Sequence, residues 1–452
     1  MVVQKFGGTS VADPAAIRRL IEIVRTARAR DGRGPAVVVS AMSGVTDALL
    51  AVAAAAGASR QDDALARVEQ LRSRHLAAAQ ELVPGAEHAS VAAHMAEGFD
   101  QLAAVVRALA VLREVSPRTL DVIAAMGELL SSRMVAAALT EAGIPADWVD
   151  ARRAVVTNDD HTRAAPLMRE TTAAMRASVL SVIEAGRVPV LGGFVGATAE
   201  GHTTTLGRGG SDYSGALVGA GIDASEIQIW TDVDGMLSAD PRIIKAPRLV
   251  PRLSFAEAAE LAYFGAKVLH PSTILPAVER NIPVRILNSM KPDGTGTLIT
   301  ATPSLDGTPL TGLASKKDVT VIDITSTRML MAYGFLRRVF EVFERFRTAV
   351  DVVTTSEVSV SVTVDDRRFV EAIKEQLSEF ADVSTESEMA LLCAVGDRLR
   401  DEPEIAARVV SVLEEVPLRM ISQAASRRNI TVVLRQADLP HAMQRLHEEF
   451  FT

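Results

Sequence analysis

Cysteine is nearly absent: Cys393 is the single one in 452 residues, which excludes an internal disulfide framework and a cysteine-ligated metal cluster. Its neighbours Leu391, Leu392, Ala394 and Val395 are apolar, so a buried, inert thiol is expected. Aromatic residues are scarce at 4% and the net charge is −8, a balance that offers nucleic acid neither stacking rings nor a basic surface. No stretch of about 18 consecutive apolar residues occurs, so no membrane span is expected. The opening Met1-Val2-Val3-Gln4-Lys5 reads as a short strand rather than a signal peptide, and the expected location is the cytoplasm. What is present is 48% hydrophobic and 23% charged residues, apolar material for a large core over roughly two to four domains. An acidic total still leaves room for an anionic ligand, because a local group of Lys and Arg side chains can hold one.

The first half alternates short apolar runs with helical stretches. Residues 2–5 and 36–40 read as strands that run into glycine- or serine-containing turns. Residues 14–30 read as a helix opened by Pro14, which lacks the amide that a first turn would leave unsatisfied. Strand, turn, helix and strand in this order predict an α/β domain, a parallel-rich sheet covered by helices. Ligands of such sheets collect at the carboxyl ends of the strands, which makes the turns 6–10 and 41–46 candidate site loops. Residues 49–112, rich in alanine and leucine, predict a helical lobe. Its His75, His88 and His94 have no completing metal motif and are expected at the surface. Further strands are expected at 188–191, 228–231 and 284–287. Loop-like sequence at 292–310 marks a domain boundary. Beyond it, residues 319–386 follow a βαββαβ order, the ferredoxin-like plan. Residues 390–449 repeat that order one strand short, and a strand at 310–314 would complete the second unit.

Lys5-Phe6-Gly7-Gly8-Thr9-Ser10 joins a strand to a helix. Glycines let backbone amides approach an anion, the following helix presents its positive end, and Lys5 adds a point charge. Taken alone the motif reads first as a structural turn, and it is not a Walker A loop because the lysine precedes the glycines. Leu206-Gly207-Arg208-Gly209-Gly210-Ser211-Asp212 says more. A glycine-rich loop, an arginine suited to a carboxylate, a hydroxyl and a carboxylate stand just before a helix. Ser211 or Asp212 would also cap that helix. Asp232 and Asp234 begin like a calcium loop, but the remaining ligands do not follow at the right spacing. Gly265-Ala266-Lys267-Val268-Leu269-His270-Pro271 places Lys267 in a helix-like stretch, where by itself it reads as a solvated lysine.

Seven stretches in order resemble the aspartate kinases (aspartokinases), members of the amino-acid-kinase fold, over essentially the whole chain. They are residues 5–10, 40–46 (Ser-Ala-Met-Ser-Gly-Val-Thr), Gly127-Glu128, Gly193-Phe194, 206–212, 230–235 and 265–271. The resemblance implies a phosphotransferase with a carboxyl acceptor. It would move the γ-phosphoryl group of ATP to the β-carboxylate of L-aspartate, with Mg2+ carried by the nucleotide and no protein-held metal. This is the first step toward lysine, threonine and methionine. The resemblance places Lys5, Phe6, Gly7 and Gly8 along the ATP phosphates and has Thr231, Asp232, Leu237, Arg242, Lys267 and Val268 hold the nucleotide. Leu237 stands where family members often carry a tyrosine. The implied aspartate site uses Ser40, Thr46, Glu128, Phe194, Arg208, Gly209, Gly210, Ser211 and Asp212. Arg208 would take the α-carboxylate, and Glu128 and Asp212 the ammonium. Lys5, Arg208 and Asp212 are the implied catalytic residues. A β-carboxylate with a pKa of about 3.9 is already ionised at neutral pH, so the transfer needs no general base.

The C-terminal pair resembles two ACT domains. The implied domains are a catalytic domain at 1–300 and ACT domains at 316–387 and 388–452, the second completed by a strand near 308–315. Residues 329–336, Val350-Asp351 and Thr355-Ser356-Glu357 resemble the lysine-sensitive branch. The implied effector contacts are Met329, Gly334, Phe335, Leu336, Val350, Asp351, Ser356 and Glu357, and the implied effector is L-lysine. Ala332 and Ala349 stand where that branch can carry serine. The implied assembly is a homo-oligomer, a dimer or tetramer through the ACT domains; the alternative reading of these segments is that they only pair a dimer sheet. A kinase for N-acetylglutamate, glutamate or uridine monophosphate would share the fold, but the helical insertion, Glu128 and the ACT pair speak against it. A non-catalytic amino-acid sensor would not need Lys5, Arg208 and Asp212.

Overall fold

The computed structural model describes residues 1–265, 269–302, 310–326, 333–397, 399, 401–423 and 426–452. They form two compact units, one of Met1–Gly235 with Leu269–Ala301 and one of Met236–Val268 with Thr302–Thr452.

The strands of the first unit are β1 (Val2–Phe6), β2 (Ala36–Val39), β3 (Ala146–Val149), β4 (Val188–Gly192), β5 (Val195–Ala197), β6 (Thr203–Thr205) and β7 (Glu226–Thr231). After β8 (Arg252–Ser254), which belongs to the second unit, come β9 (Val284–Asn288) and β10 (Thr297–Thr300). Strands β3, β4, β2, β1, β7 and β9 lie side by side in that order and are parallel, while β10 runs antiparallel to β9. β2 reads Ala-Val-Val-Val with every residue buried, the pattern of a strand covered on both faces. Val39 stands opposite Phe6 and Gly192, and Phe6 opposite Trp230, so β1, β2, β4 and β7 end in one row.

Helices α1 (Pro14–Asp31), α2 (Val45–Gly57), α3 (Gln61–Leu82), α4 (His88–Leu112) and α5 (Pro117–Glu141) follow. Leu49, Val68, Phe99 and Met134 from α2 to α5 share one core with Phe6, Val37 and Val39 of the sheet. By length and composition α5 could cross a membrane, with a mean hydropathy of 1.5, yet 78% of that window is buried inside the protein. It is a core helix, and it carries Asp121 and Glu128 inward. His75, expected at the surface, is buried. It falls on the inward stripe of α3 formed by Ala64, Val68, Leu71, Ala78 and Leu82. Its Nδ1 lies 2.7 Å from the Leu71 carbonyl oxygen, and burial pushes its pKa down. Two short helices, α6 (Met168–Met175) and α7 (Ser181–Glu184), lead into β4, and α8 (Gly210–Gly221) leads into β7.

In the second unit α9 (Phe255–Tyr263) follows β8, its start fixed by a capping box between Ser254 and Glu257. The short α10 (Leu275–Glu279) returns to the first unit. The C-terminal elements are β11 (Gly312–Thr325), α11 (Phe335–Arg345), β12 (Val353–Thr355), β13 (Ser359–Val364), α12 (Val370–Ser378) and β14 (Asp382–Val395). Then come α13 (Pro403–Val412), β15 (Leu418–Ser422), β16 (Asn429–Arg435) and α14 (Leu439–Phe451). They build one antiparallel sheet in the order β12-β13-β11-β14-β16-β15. β11 and β14 run 14 residues each and traverse both βαββαβ halves. Gly312 to Lys316 face Val395 to Leu391, while Val321 to Thr325 face Glu386 to Asp382. The sequence pattern suggests two shorter strands in each place. The polar interruptions are bulges, not breaks: Asp318 and Glu388 adopt φ of 60° and 59°, and the register shifts between Lys316 and Val319. Cys393, in the middle of β14, is fully buried, which pushes its thiol up to about 12.

Candidate active site

Two adjoining clefts open at the carboxyl ends of β1, β2, β4 and β7. One, of about 570 Å³, lies among Lys5, Glu128, Phe194 and residues 208–212; the other, of about 420 Å³, lies among Gly7, Gly8, Gly44, Thr231 and Asp232. Ser40, Thr46, Asp47, Glu128 and Ser211 line both. A larger cavity, about 880 Å³, opens among Met1, Arg33, Glu226 and Arg285 at the amino ends of these strands. The smaller pair holds the glycine turns and sits where a parallel sheet presents its ligands.

Lys5, the penultimate residue of β1, reaches Asp212 in the first turn of α8, with Nζ 2.6 Å from Oδ1 and side chains only 9% and 19% exposed. The next turn of α8 must be small there, since a Cβ on Gly215 would stand 3.1 Å from the Lys5 Cβ. Neither Ser211 nor Asp212 caps α8, contrary to that expectation: Gly209 holds the cap position at φ 73° with no side-chain bond. α2 likewise starts from Gly44, at φ 77°, without a side-chain cap. With no side chain filling either start, α2 and α8 turn open positive helix ends toward the clefts. The helix after the Gly7-Gly8 turn does not. A short 3-10 turn, Gly8–Val11, intervenes, and the start of α1 is already filled by Asp13, which accepts from the Ala16 amide at 2.8 Å. The glycine turn itself is anchored by the Gly7 amide donating to the Trp230 carbonyl at 2.9 Å. Phe6 contributes backbone only, because its ring is buried and stacked on Trp230.

Glu128 comes from α5 and is 3% exposed. Burial pushes its pKa up to about 8, against the opposing pull of the Ala41 amide and the Lys5 charge. Its Oε2 has no hydrogen-bond partner among the described residues, a buried acceptor awaiting a donor. Phe194 adopts φ 65°, held there by its amide donating to Ser214 Oγ at 2.9 Å. Preceding it, Gly193 is required by close approach, since a Cβ would stand 2.9 Å from the Ser211 Cα. Arg208 is exposed at the cleft rim and makes no ion pair or hydrogen bond among the described residues, so its guanidinium is free for a carboxylate. Thr231 donates to Asp232 at 3.1 Å beside Gly7 and Gly8. Asp234 accepts from Asn288 and Lys291 at 2.6 and 2.8 Å, and the lysine holds its carboxyl below the usual range.

The remaining expected residues lie in the second unit. Leu237 forms a bridge with Leu249, and Arg242 is paired with Asp240 at 2.6 Å. Gly334, at φ 82°, starts α11, with Leu336 exposed and Phe335 turned into the core against Phe380. Asp351 accepts from Lys316 Nζ at 2.7 Å and from the Tyr263 hydroxyl at 2.9 Å, and Val350 precedes it, half-buried. Ser356 bonds Ser359 at 2.7 Å, and Glu357 is exposed. Lys267, Val268 and Met329 lie outside the described residues. Motif reading missed Asp47, Asp121, Thr162 and Thr205, all of which line the larger of the two clefts. Asp47 directly follows a motif and was within reach; Asp121 sits in a helical run with no local signature.

The amino acid kinase family model matches residues 1–288, and an ACT domain model matches residues 392–450. Lysine-sensitive aspartokinase 3 of Escherichia coli is 35% identical over 462 residues, which cover 100% of this chain and 99% of that protein. The chloroplastic aspartokinase 3 of Arabidopsis thaliana is 37% identical over 99% of this chain and 81% of its own length. E. coli aspartokinase III, solved in complex with aspartate and ADP, superimposes with a TM-score of 0.83 at 34% identity over 100% of both chains. Its complex with lysine and aspartate gives the same values. With a parallel kinase sheet, an antiparallel ACT sheet and these relatives matched nearly end to end, the chain belongs to the aspartokinases of the amino acid kinase family.

Proposed function

We propose that the paired clefts carry the aspartokinase reaction: transfer of the γ-phosphoryl group of ATP to the β-carboxylate of L-aspartate, giving 4-phospho-L-aspartate and ADP. The observation that carries the assignment is the Lys5–Asp212 ion pair, which joins the β1 end to the start of α8 in the wall of the larger cleft. ATP, arriving as its Mg2+ complex, lies with its phosphates along Gly7 and Gly8 and the start of α2, beside Thr231 and Asp232. Aspartate lies in the neighbouring cleft, its α-carboxylate on Arg208 and its ammonium on Glu128 and Asp212, with Ser40, Thr46, Phe194, Gly209, Gly210 and Ser211 forming the walls. A β-carboxylate oxygen attacks the γ-phosphorus, the bond to the β,γ-bridging oxygen breaks, and ADP leaves. The nucleophile is already ionised, so the protein's task is alignment and charge neutralisation. Lys5 supplies the fixed positive charge. Leu237, Arg242, Lys267 and Val268 complete the nucleotide site in this reading.

The catalytic domain spans 1–300, and two ACT domains span 316–387 and 388–452, the second completed by the strand near 308–315. L-lysine is the feedback effector, bound through Met329, Gly334, Phe335, Leu336, Val350, Asp351, Ser356 and Glu357. Asp351 supports this choice of ligand, since its buried Oδ2 has no hydrogen-bond partner among the described residues while Oδ1 accepts from Lys316 and Tyr263. The ACT domains also pair the chain into a dimer or tetramer. Coupled ADP release with aspartate and with glutamate, repeated with lysine, threonine and methionine, tests the assignment. Aspartate-dependent turnover inhibited by lysine is expected; turnover with glutamate alone overturns the substrate.

Glu128 adds a pH dependence. With a pKa near 8 it is protonated at neutral pH and must release that proton to pair with the substrate ammonium. Aspartate affinity is therefore expected to rise as pH rises toward 8 and to level off above it, by up to about tenfold per pH unit. Glu128→Gln should flatten the profile. The same raised pKa makes folding stability fall as pH climbs from the unfolded carboxyl value toward 8, because the unfolded chain loses the proton first. A KM for aspartate that is flat between about pH 6.5 and 8 in the unmodified enzyme would remove Glu128 from the ammonium site.

A further inference from the structure

Asp121, on α5, is 1% exposed and stands in the wall of the cleft assigned above to aspartate. Both its oxygens are occupied. Oδ1 accepts from the Thr162 amide at 3.0 Å and from the Thr205 hydroxyl at 2.5 Å. Oδ2 stands 3.1 Å from the same amide and 2.7 Å from His161 Nδ1. A carboxylate so filled has no lone pair left to bind substrate, so its role lies in what it holds. Thr162 is a non-glycine residue at φ 71°, a left-handed conformation that persists only where the surroundings enforce it. Its segment docks on β6 through the Ala164 amide, which donates to the Thr205 carbonyl at 2.9 Å. The other side of the segment bears on the arginine turn. A Cβ on Gly207, itself at φ 75°, would stand 3.2 Å from the Thr162 carbonyl oxygen and 3.5 Å from the Arg163 Cα. Gly207 directly precedes Arg208.

We propose that Asp121 is a positioning residue for the acceptor substrate: it locks Thr162, Thr162 backs Gly207, and the turn so fixed aims the Arg208 guanidinium at the aspartate α-carboxylate. This inference rests on reading the cleft as the aspartate site. ATP meets none of these groups, because the second cleft is lined from Gly7, Gly44 and Asp232 instead. Loss of Asp121 should therefore separate the two substrates.

The test is steady-state kinetics on the purified full-length protein, with aspartate varied at saturating ATP and the converse. Asp121→Ala is expected to raise the KM for aspartate by about 10-fold and to leave that for ATP within about twofold, the consequence of a guanidinium displaced by a fraction of an ångström. Adding Thr162→Gly to Asp121→Ala should recover part of the aspartate KM, since glycine adopts the left-handed conformation unaided. Thr205→Val, which deletes one hydroxyl donor at nearly constant volume, should shift the same KM in the same direction by less, and it keeps the inference testable if Asp121→Ala does not fold. Equal rises in both KM values, or an unchanged aspartate KM in the folded variants, overturn the positioning role. Unmodified enzyme that releases no ADP in response to aspartate would instead overturn the reading of the cleft itself.

Discussion

Lys5→Ala is expected to lower kcat by roughly 10²–10³, the loss that follows removal of one preorganised charge contact from a transition state, about 3–4 kcal/mol. The structure says why the effect should be on kcat. Lys5 is nearly buried, its ammonium 2.6 Å from Asp212 in the wall of the larger cleft and 3.8 Å from where a Cβ on Gly7 would stand, so in the proposed reaction it faces the negative charge that builds on the β,γ-bridging oxygen as ADP leaves. A water-exposed lysine would be screened; this one is not. Lys5→Met separates charge from packing, because it keeps the aliphatic stem lying against Gly215. Turnover as low in Lys5→Met as in Lys5→Ala identifies the charge as the cause. Near-normal kcat in either variant removes Lys5 from the mechanism.

Arg208→Ala should act on binding instead, raising the KM for aspartate by roughly 10²-fold with a smaller change in kcat. A guanidinium that grips a carboxylate with two parallel bonds contributes two charge-assisted hydrogen bonds, together about 3 kcal/mol at an open rim. Arg208 is exposed and unengaged among the described residues, so its removal strands no internal partner and the fold should tolerate it. Arg208→Lys should recover little, because an ammonium cannot reproduce the planar fork. Thermal unfolding unchanged beside a large KM effect is the expected pattern. An unaltered aspartate KM would assign the α-carboxylate to another group, and the open start of α8 lines the same cleft.

Much of this site is legible in the linear chain. The runs at β1, β2, β4 and β7 announce themselves because strands buried on both faces have continuous apolar sequence, as in Ala36-Val37-Val38-Val39. The turn before α8 announces itself because Gly207 and Gly209 stand at φ of 75° and 73°, a left-handed conformation that favours glycine. Other features carry no such local mark. His75 looks like a surface histidine until α3 is rotated against the core, where the same residue falls on the inward stripe. Lys316-Lys317-Asp318 looks like a strand break, yet pairing with β14 continues past it through a bulge. The helix after Gly7-Gly8 looks like the phosphate dipole, but Asp13 fills its start, and the open helix ends come from α2 and α8.

By itself, then, the chain's sequence determined the α/β class, the order of kinase and ACT regions, and the glycine, lysine and arginine motifs that gather at the clefts. Periodicity and glycine placement are local properties, and local properties survive in a linear string. The tertiary structure alone decided which charges touch. Lys5 and Asp212 are 207 residues apart in the chain and 2.6 Å apart in space. Glu128 acquires its raised pKa only because α5 carries it out of water, and Asp121 has its oxygens filled only because His161, Thr162 and Thr205 converge on it. Burial and long-range contact are products of packing, and no spacing rule along the chain encodes them.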